Sequence, residues 1–162
     1  MTSPDSSARE HWDGVYGQTA VDETGWWEAS PSVSLAMIER VGLQPDDPIL
    51  DAGAGASTLV DHLLDRGQRD VTVLDISERA LEELRTRIGP ERAESVRFVC
   101  GDVTDPATQE GIEPVRLWHD RAMLHFLIED DQCAQYAAAL TAAVALGGYA
   151  LLATYALHGA PT

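Results

Sequence analysis

Short apolar runs alternate with amphipathic helical patterns along the chain from Pro48 onward. This alternation is typical of a doubly wound α/β fold, in which helices cover both faces of a parallel sheet. Runs rich in Val, Ile, Leu or aromatic residues are predicted to form the strands, because these residues suit a pleated surface. The five predicted strands are Ile49 to Ala52, Val71 to Asp75, Val96 to Cys100, Val115 to His119 and Tyr149 to Thr154.

Helices are predicted between these strands and before them. The predicted helices are Ser32 to Val41, Thr58 to Arg66, Glu78 to Ile88 and Gln132 to Leu146. The third has the sharpest ends, because Ser77 is a suitable N-cap and Gly89-Pro90 is a strong terminator. The region from Ala8 to Ser30 mixes polar and aromatic residues and is predicted to include a short helix.

A length of 162 residues fits one domain with a single substantial core. We expect residues 1–47 to form an N-terminal helical or lid segment and residues 48–162 to form the sheet. No repeat or low-complexity linker divides the two parts.

The net charge of −16 would repel polyanions and argues against nucleic acid as a partner. Cys100 and Cys133 form no CxxC motif, and a reducing cytoplasm is the simplest interpretation. The start MTSPDSSARE lacks the pattern of a signal peptide, and no run reaches the ~18 apolar residues of a membrane span. The sequence therefore predicts a cytoplasmic protein without membrane attachment.

The stretch LDAGAGASTLV follows the first predicted strand and begins a helix. Gly53 and Gly55 permit a tight turn and the close approach of a ligand to the backbone. A nicotinamide dinucleotide motif would place a small residue at position 58, where this chain has Thr58. The carboxylate of Asp51 would repel a pyrophosphate and attract a cationic ligand. S-adenosylmethionine fits, because it carries a sulfonium and an ammonium and has no phosphate.

Two further acids stand at the predicted ends of the second and third strands. Asp75 ends the run VTVLD, 20 residues after Gly55, and can accept bonds from both ribose hydroxyls. Asp102, in CGDV, can accept from an adenine amino group. The carboxyl ends of parallel strands meet at one edge, so these acids and Asp51 are predicted to form one rim.

Together these motifs resemble those of the class I S-adenosylmethionine-dependent methyltransferases, from about residue 8 to the end of the chain. LDAGAGAS is similar to the family's first motif, LDIS to its ribose-binding acid, GDV to its adenine-binding turn, and LWHDRAMLHFL to the segment after the fourth strand. GAGAS with VTVLDIS is also similar to a branch that contains several protein lysine methyltransferases. Two positions depart from the family pattern, namely Ser57 at the third glycine and Arg116 where an aspartate often precedes the fourth strand.

The resemblance implies a Rossmann-like fold and a set of cofactor contacts. Gly53 and Gly55 would pass the methionine part of the cofactor, Ile76 would pack on adenine, and the segment around Asp120 would face the methyl group. The implied cofactor-binding residues are Asp51, Ala52, Gly53, Gly55, Asp75, Ile76, Gly101, Asp102, Val103 and Asp120.

Candidate acid–base groups follow the fourth predicted strand. His119, Asp120 and Arg121 are the candidates for catalysis, since a neutral histidine can accept a proton near pH 7. The structural alternative is that His119 is buried on the strand and that Asp120 caps the next helix. The spacing of His119, Asp120 and His125 matches no common zinc site, and no metal is predicted.

Four aromatic residues of the N-terminal segment are candidates for a lid or an acceptor site. Trp12 and Tyr16 are four residues apart and share a helical face, which either packs in the core or lines the site. Trp26 and Trp27 stand among turn residues and would cover the cofactor or receive a substrate. The acids near them favour a cationic acceptor, although acidic runs are usually only solvated: Asp22, Glu23 and Glu28.

The sequence thus predicts transfer of a methyl group from S-adenosylmethionine to a small-molecule or protein acceptor. A non-catalytic module that binds the cofactor or S-adenosylhomocysteine, or a partner subunit, is the alternative from another class. The resembled family continues after its fifth strand with a helix and an antiparallel strand pair, which this sequence lacks. The stretch Ala150 to Ala156 contains no charge and no proline to protect an edge strand. We therefore expect either a fragment or a homodimer that pairs through this edge.

Overall fold

The computed structural model describes residues 4–154. Its strands are β1 (Ile49–Ala52), β2 (Val71–Asp75), β3 (Val96–Cys100), β4 (Val115–Arg121) and β5 (Val144–Ala153). Its helices are α1 (Pro4–Gln18), α2 (Ser32–Val41), α3 (Leu59–Asp65), α4 (Glu78–Ile88), α5 (Pro90–Ala93), α6 (Pro106–Gln109) and α7 (Asp130–Ala143). Two 3₁₀ turns, Val21–Glu23 and Leu124–Phe126, complete the regular elements.

The five strands form one parallel sheet in the order β3-β2-β1-β4-β5. The chain runs outward from β1 to β2 and β3, then returns to the other side of β1 for β4 and β5. The order therefore reverses between β1 and β4, and in such sheets a ligand binds at the carboxyl ends of the strands beside this switch point. The predicted doubly wound, Rossmann-like fold is confirmed.

Alternate residues of the central strands pack on opposite faces of the sheet. Ile49, Val73 and Leu117 face the core that the sheet forms with α2, α3 and α4. Leu50 and Trp118 face the core on the α7 side. Both faces are covered, which is why β1 and β2 are buried at every position and consist mostly of apolar residues on both faces.

The predicted bounds of β1, β2, β3, α2 and α4 are confirmed, and Ser77 caps α4 by accepting a bond from the amide of Ala80. The last two predicted elements are displaced. Helix α7 ends at Ala143 rather than at Leu146, because Val144 already pairs with Val115 in the sheet. A bulge follows, in which Gly147 adopts a φ of 77°, and regular pairing resumes between Leu117 and Tyr149.

The N-terminal segment packs across the start of α4, above the carboxyl end of β2. Ser77 Oγ donates to Asp13 at 2.6 Å, and Arg79 Nε donates to the carbonyl of Tyr16 at 3.1 Å. Tyr16 is buried as a result, with 6% of its surface exposed. The predicted N-terminal helix is present as α1, and it lies above the carboxyl ends of the strands.

Strand β5 lies at the edge of the sheet among the described residues and exposes apolar side chains. The most exposed are Leu146, Tyr149 and Leu152. The remainder of the predicted uncharged edge segment, from residue 155 to Ala156, lies outside the described residues.

Candidate functional site

The main cavity lies at the carboxyl ends of the strands, as the switch point predicts. Its wall includes most of the residues that the sequence selected at the strand tips: Asp51, Gly53, Asp75, Ile76, Gly101, Asp102 and Val103. The N-terminal segment adds Trp12, Tyr16, Trp26 and Trp27 to the lining of the cavity, and β4 adds His119 and Arg121. The structure thus brings together residues from four strands and the predicted lid.

Three predicted cofactor residues lie behind this wall. Ala52 is fully buried in the core on the α7 side of the sheet. Gly55 is covered by the hydroxyl of Tyr16, and the side chain of Asp120 points toward α7.

The glycine turn is as tight as its sequence predicts. Gly53 and Gly55 have φ values of 67° and 53°, in the left-handed region that favours glycine. The amides of Gly53 and Ala54 both donate to the carbonyl of Leu74, which ties the turn to β2. A Cβ at position 53 would collide with Met123, so substitution fails there for steric as well as conformational reasons.

Asp75 accepts one backbone hydrogen bond on each carboxylate oxygen. Oδ2 accepts from the amide of Gly55 at 2.7 Å, and Oδ1 accepts from the amide of Ser77 at 2.8 Å. Burial raises the pKa of Asp75 to about 6, and the two amide bonds offset part of that rise. Each oxygen retains acceptor capacity, so the side chain can take two further donors, as a ribose diol requires.

Asp51 belongs to a buried polar chain. Its Oδ1 lies 2.7 Å from His119 Nδ1, and His119 Nε2 lies 2.9 Å from Ser34 Oγ on α2. Asp51 Oδ2 is also buried and accepts no hydrogen bond from the described residues. His119 is therefore on a strand and buried, as its structural interpretation predicts, and both of its ring nitrogens are occupied.

Asp102 shapes the turn after β3. Its Oδ1 accepts from both the amide and the hydroxyl of Thr104 at 2.7 Å, which is an Asx turn. The carboxylate still lines the cavity beside Asp51 and Asp75, so the predicted acidic rim exists.

Asp120 organises the segment after β4. Its carboxylate accepts from Tyr136 Oη at 2.7 Å and from the amide of Met123 at 3.0 Å, and Trp118 Nε1 donates to the same tyrosine oxygen at 3.1 Å. Burial raises the pKa of Asp120 above its usual value. The bond to Met123 fixes the turn in which Ala122 adopts a φ of 68°, an unusual conformation for a residue with a Cβ. These contacts give Asp120 a structural role.

Arg121 joins the end of β4 to the lid. Its Nη1 donates to the carbonyl of Trp26 at 2.7 Å and lies 3.6 Å from Glu28 Oε1. A second cavity adjoins the first, with Arg121 and Trp26 in both walls and Ser34 and Glu28 in the second.

The comparisons with known proteins agree with this architecture. The family described as "Methyltransferase domain" matches residues 49–148, which include the whole strand-tip rim. The chain belongs to the class I S-adenosylmethionine-dependent methyltransferases. The family predicted from the residues is thereby confirmed, and with it the cofactor that this family uses.

Individual relatives are distant. A zebrafish (Danio rerio) protein named eEF1A lysine and N-terminal methyltransferase is 27% identical over 116 residues, which cover 72% of this chain and 16% of the relative. The mouse (Mus musculus) protein of the same name is 23% identical over 131 residues, which cover 81% of this chain and 18% of the relative. The methyltransferase chain thus spans less than a fifth of the length of these curated relatives.

Solved structures share the fold over most of the chain. The structure described as "Conversion of a Disulfide Bond into a Thioacetal Group during Echinomycin Biosynthesis" is 28% identical, with a TM-score of 0.70. The match covers 89% of this chain and 60% of that protein's chain. Phosphoethanolamine N-methyltransferase 1 of Haemonchus contortus is 16% identical, with a TM-score of 0.74, and covers 98% of this chain and 34% of its own. At 16% identity the second likeness shows the fold alone.

The charges of the cavity fit the methyltransferase cofactor better than a dinucleotide. Among the described residues of the main cavity wall, Arg121 is the only Arg or Lys, and its Nη1 is bound to the lid. Three carboxylates line the same cavity, and the buried Oδ2 of Asp51 finds no donor within residues 4–154. A pyrophosphate would meet net repulsion here, whereas an ammonium and a ribose diol would supply the missing donors.

The lid is an aromatic cluster that the sequence revealed only in part. The rings of Trp12, Trp26 and Phe126 meet edge to face, with centroids 4.7 to 6.4 Å apart. Phe126 comes from the 3₁₀ turn after β4, and no periodic pattern marks it. Ser34 was missed as well, since a serine in an amphipathic helix carries no signal until its distant partner, His119, is known.

Within residues 4–154, no group of three His, Cys, Asp or Glu side chains is arranged to hold a metal ion. No helix in the same range is both long enough and apolar enough to cross a membrane.

Proposed function

We propose that this chain binds S-adenosylmethionine in the main cavity and transfers its methyl group to a small-molecule or protein acceptor. The observation that carries the proposal is the rim of Asp51, Asp75 and Asp102 around a cavity whose wall offers one arginine. That charge pattern suits a cationic ligand with a ribose diol and an adenine amino group.

Each rim residue has a defined task in this proposal. Asp75 accepts from the ribose hydroxyls with the acceptor capacity that its two backbone bonds leave. Asp102 accepts from the adenine amino group, and Ile76 packs on the adenine ring. Gly53 lets the amino-acid part approach the backbone, and Asp51 receives its ammonium.

The protein's contribution to transfer is orientation and exclusion of water. When bound, the cofactor supplies a methyl carbon that its sulfonium has already activated. Trp12, Trp26 and Phe126 cover the cavity and keep water from the reacting groups. His119 has no free ring nitrogen, so it is not assigned as a general base.

The second cavity favours an amine as the acceptor. Two indole rings, those of Trp26 and Trp27, share its wall with the carboxylate of Glu28. Aromatic faces and a carboxylate both attract a protonated amine, which must release its proton to solvent before its nitrogen lone pair can attack the methyl carbon. The curated relatives are named for lysine and N-terminal methylation, which supports a protein amine as one acceptor class beside small-molecule amines.

The alternative is a chain that holds the cofactor or its product without catalysis.

We further propose that two copies pair through the exposed edge of β5 and that the protein is cytoplasmic. The edge pairing is supported by the exposed apolar side chains of β5.

Incubation of the chain with methyl-labelled S-adenosylmethionine and cell extract tests the proposal. Label is expected in a small-molecule or protein fraction with the wild-type chain, and its transfer is expected to be much slower with Asp75→Ala at limiting cofactor concentration. Cofactor binding without any transfer of label would favour the non-catalytic alternative. Transfer by Asp75→Ala at the wild-type rate would contradict the proposed site.

A further inference from the structure

The buried chain of Ser34, His119 and Asp51 links a helix to the tip of the central strand. Asp51 and His119 stand directly opposite each other on β1 and β4, so their side chains leave the same face of the sheet. Helix α2 packs on that face and brings Ser34 to the far side of the imidazole. The exposed fractions are 2% for Asp51, 2% for His119 and 6% for Ser34.

A neutral His119 satisfies these contacts in one tautomer. The Asp51 carboxylate can only accept, so Nδ1 carries the proton and donates to Oδ1. The unprotonated Nε2 then accepts from the Ser34 hydroxyl. The other tautomer would place a lone pair against a buried carboxylate, which is unfavourable.

This arrangement holds one oxygen of Asp51 and leaves the other without a donor. Oδ1 is fixed by His119, while Oδ2 is buried and accepts no hydrogen bond from the described residues. Nearly all buried polar atoms in folded proteins have a partner, and Asp51 is one of the residues that line the main cavity. Its unpartnered oxygen therefore points to a ligand donor in that cavity.

We propose that His119 and Ser34 are positioning residues that fix the Asp51 carboxylate so that Oδ2 receives the ammonium of the cofactor's amino-acid part. They thereby make cofactor binding selective for ligands that carry that ammonium. The inference rests on the proposed function, because it concerns the same cavity. It assigns His119 an orienting role, which is distinct from the acid–base role for which the sequence makes it one candidate.

Calorimetry with two ligands tests this role without an acceptor. S-adenosylhomocysteine carries the amino-acid part, whereas 5′-methylthioadenosine has the same nucleoside and lacks it. His119→Phe removes the N–H that holds Asp51. We expect this variant to lower the affinity for S-adenosylhomocysteine at least about tenfold, while the affinity for 5′-methylthioadenosine changes less than about twofold.

His119→Asn is the matched control, because its amide N–H can replace Nδ1–H. It is expected to restore most of the affinity for S-adenosylhomocysteine. Ser34→Ala is expected to give a smaller loss with the same ligand selectivity. An equal loss of affinity for both ligands in His119→Phe, or no loss of affinity for either, would overturn the proposal.

Nitrogen-15 NMR of the wild-type imidazole provides a measurement that does not depend on the variants folding. Nδ1 of His119 is expected to carry a proton, because this N–H is the donor that holds Asp51 Oδ1. A neutral ring protonated at Nε2 would overturn the proposal. A wild-type chain that binds neither ligand would instead refute the proposed function.

Discussion

At the scale of single residues, Asp75 is the position on which the cofactor assignment depends most. It ends β2 and lines the cavity. Its carboxylate can only accept hydrogen bonds, so a ligand that bonds to it must provide the donor groups. Its backbone bonds to Gly55 and Ser77 orient both oxygens before a ligand arrives. Such preorganisation reduces the entropy that binding must overcome.

Asp75→Ala is expected to weaken S-adenosylhomocysteine binding by about 10- to 150-fold, because a carboxylate bonded to two hydroxyls contributes roughly 1.5–3 kcal/mol. Titration calorimetry measures the change. Asp70→Ala is the control, since Asp70 is exposed and precedes the opposite end of the same strand. An unchanged dissociation constant for Asp75→Ala would place the ribose site elsewhere.

The pH dependence of binding follows from the same side chain. Burial raises the pKa of Asp75 to about 6, and only the ionised carboxylate accepts on both oxygens. Affinity for S-adenosylhomocysteine is therefore expected to level off near pH 7 and to fall as the pH drops through 6, to about a tenth at pH 5. The ligand's carboxylate and ammonium stay charged between pH 5 and 7. In Asp75→Ala this dependence should disappear, and a flat profile in the wild type would contradict the assignment.

The sequence predicted the acids of the rim but not the contacts that orient them. Asp51 and Asp75 could be found because an acid beside a glycine turn, or at a strand end, has a local signature. Ser34 could not be found from the sequence, because it lies 85 residues from His119 and only the packing of α2 brings the two side chains together. The contacts of Asp120 could not be predicted for a related reason, since its partner Tyr136 lies 16 residues further along the chain, on α7.

At the scale of elements, the lid depends on contacts between α1, the loop that follows it and the turn after β4. Trp12 lies on α1, Trp26 lies in the loop after α1, and Phe126 lies in the turn after β4. Arg121 fastens the loop by its bond to the Trp26 carbonyl. Closure of the cavity therefore depends on one aromatic cluster and one arginine.

Trp26→Ala is expected to speed the release of S-adenosylhomocysteine about tenfold, since it removes two edge-to-face contacts worth about 0.5–1.5 kcal/mol each. Stopped-flow fluorescence measures the release rate. Tyr149→Ala is the control, because Tyr149 is a half-exposed aromatic residue on β5 that does not line the main cavity. Equal release rates in the wild type and in Trp26→Ala would mean that the aromatic cluster is no lid.

Most elements could be predicted because each has a complete local signal, as α4 does with Ser77 at one end and Gly89-Pro90 at the other. The junction of α7 and β5 lacks such a signal. Its alanine-rich sequence suits either structure, and the strand begins at Val144 because Val115 is available to pair there. Tertiary pairing overrides local preference at this point.

At the scale of the whole molecule, the edge of β5, which pairs with no further strand among residues 4–154, and the charge of −16 act in opposite directions. The edge exposes backbone groups and apolar side chains, which favours pairing with another strand. The charge favours separation of copies, but salt screens it over about 10 Å at 0.1 M. We therefore expect self-association to increase with salt.

Light scattering after size exclusion is expected to show a dimer of the 162-residue chain at high protein concentration. Leu152→Lys should shift it to the monomer, because a charge on the edge strand opposes pairing. Ile128→Lys is the control, since Ile128 is exposed and apolar but lies in the loop between the 3₁₀ turn Leu124–Phe126 and α7 rather than on β5. A stable wild-type monomer at all concentrations and salts would show that the edge is not an interface.

The central claim is that the acidic rim selects S-adenosylmethionine over a dinucleotide. Titration calorimetry of the wild-type chain with S-adenosylhomocysteine and, separately, with NAD tests it most directly. We predict saturable binding of one S-adenosylhomocysteine per chain and no heat of binding with NAD. Saturable binding of NAD without a response to S-adenosylhomocysteine would contradict the claim.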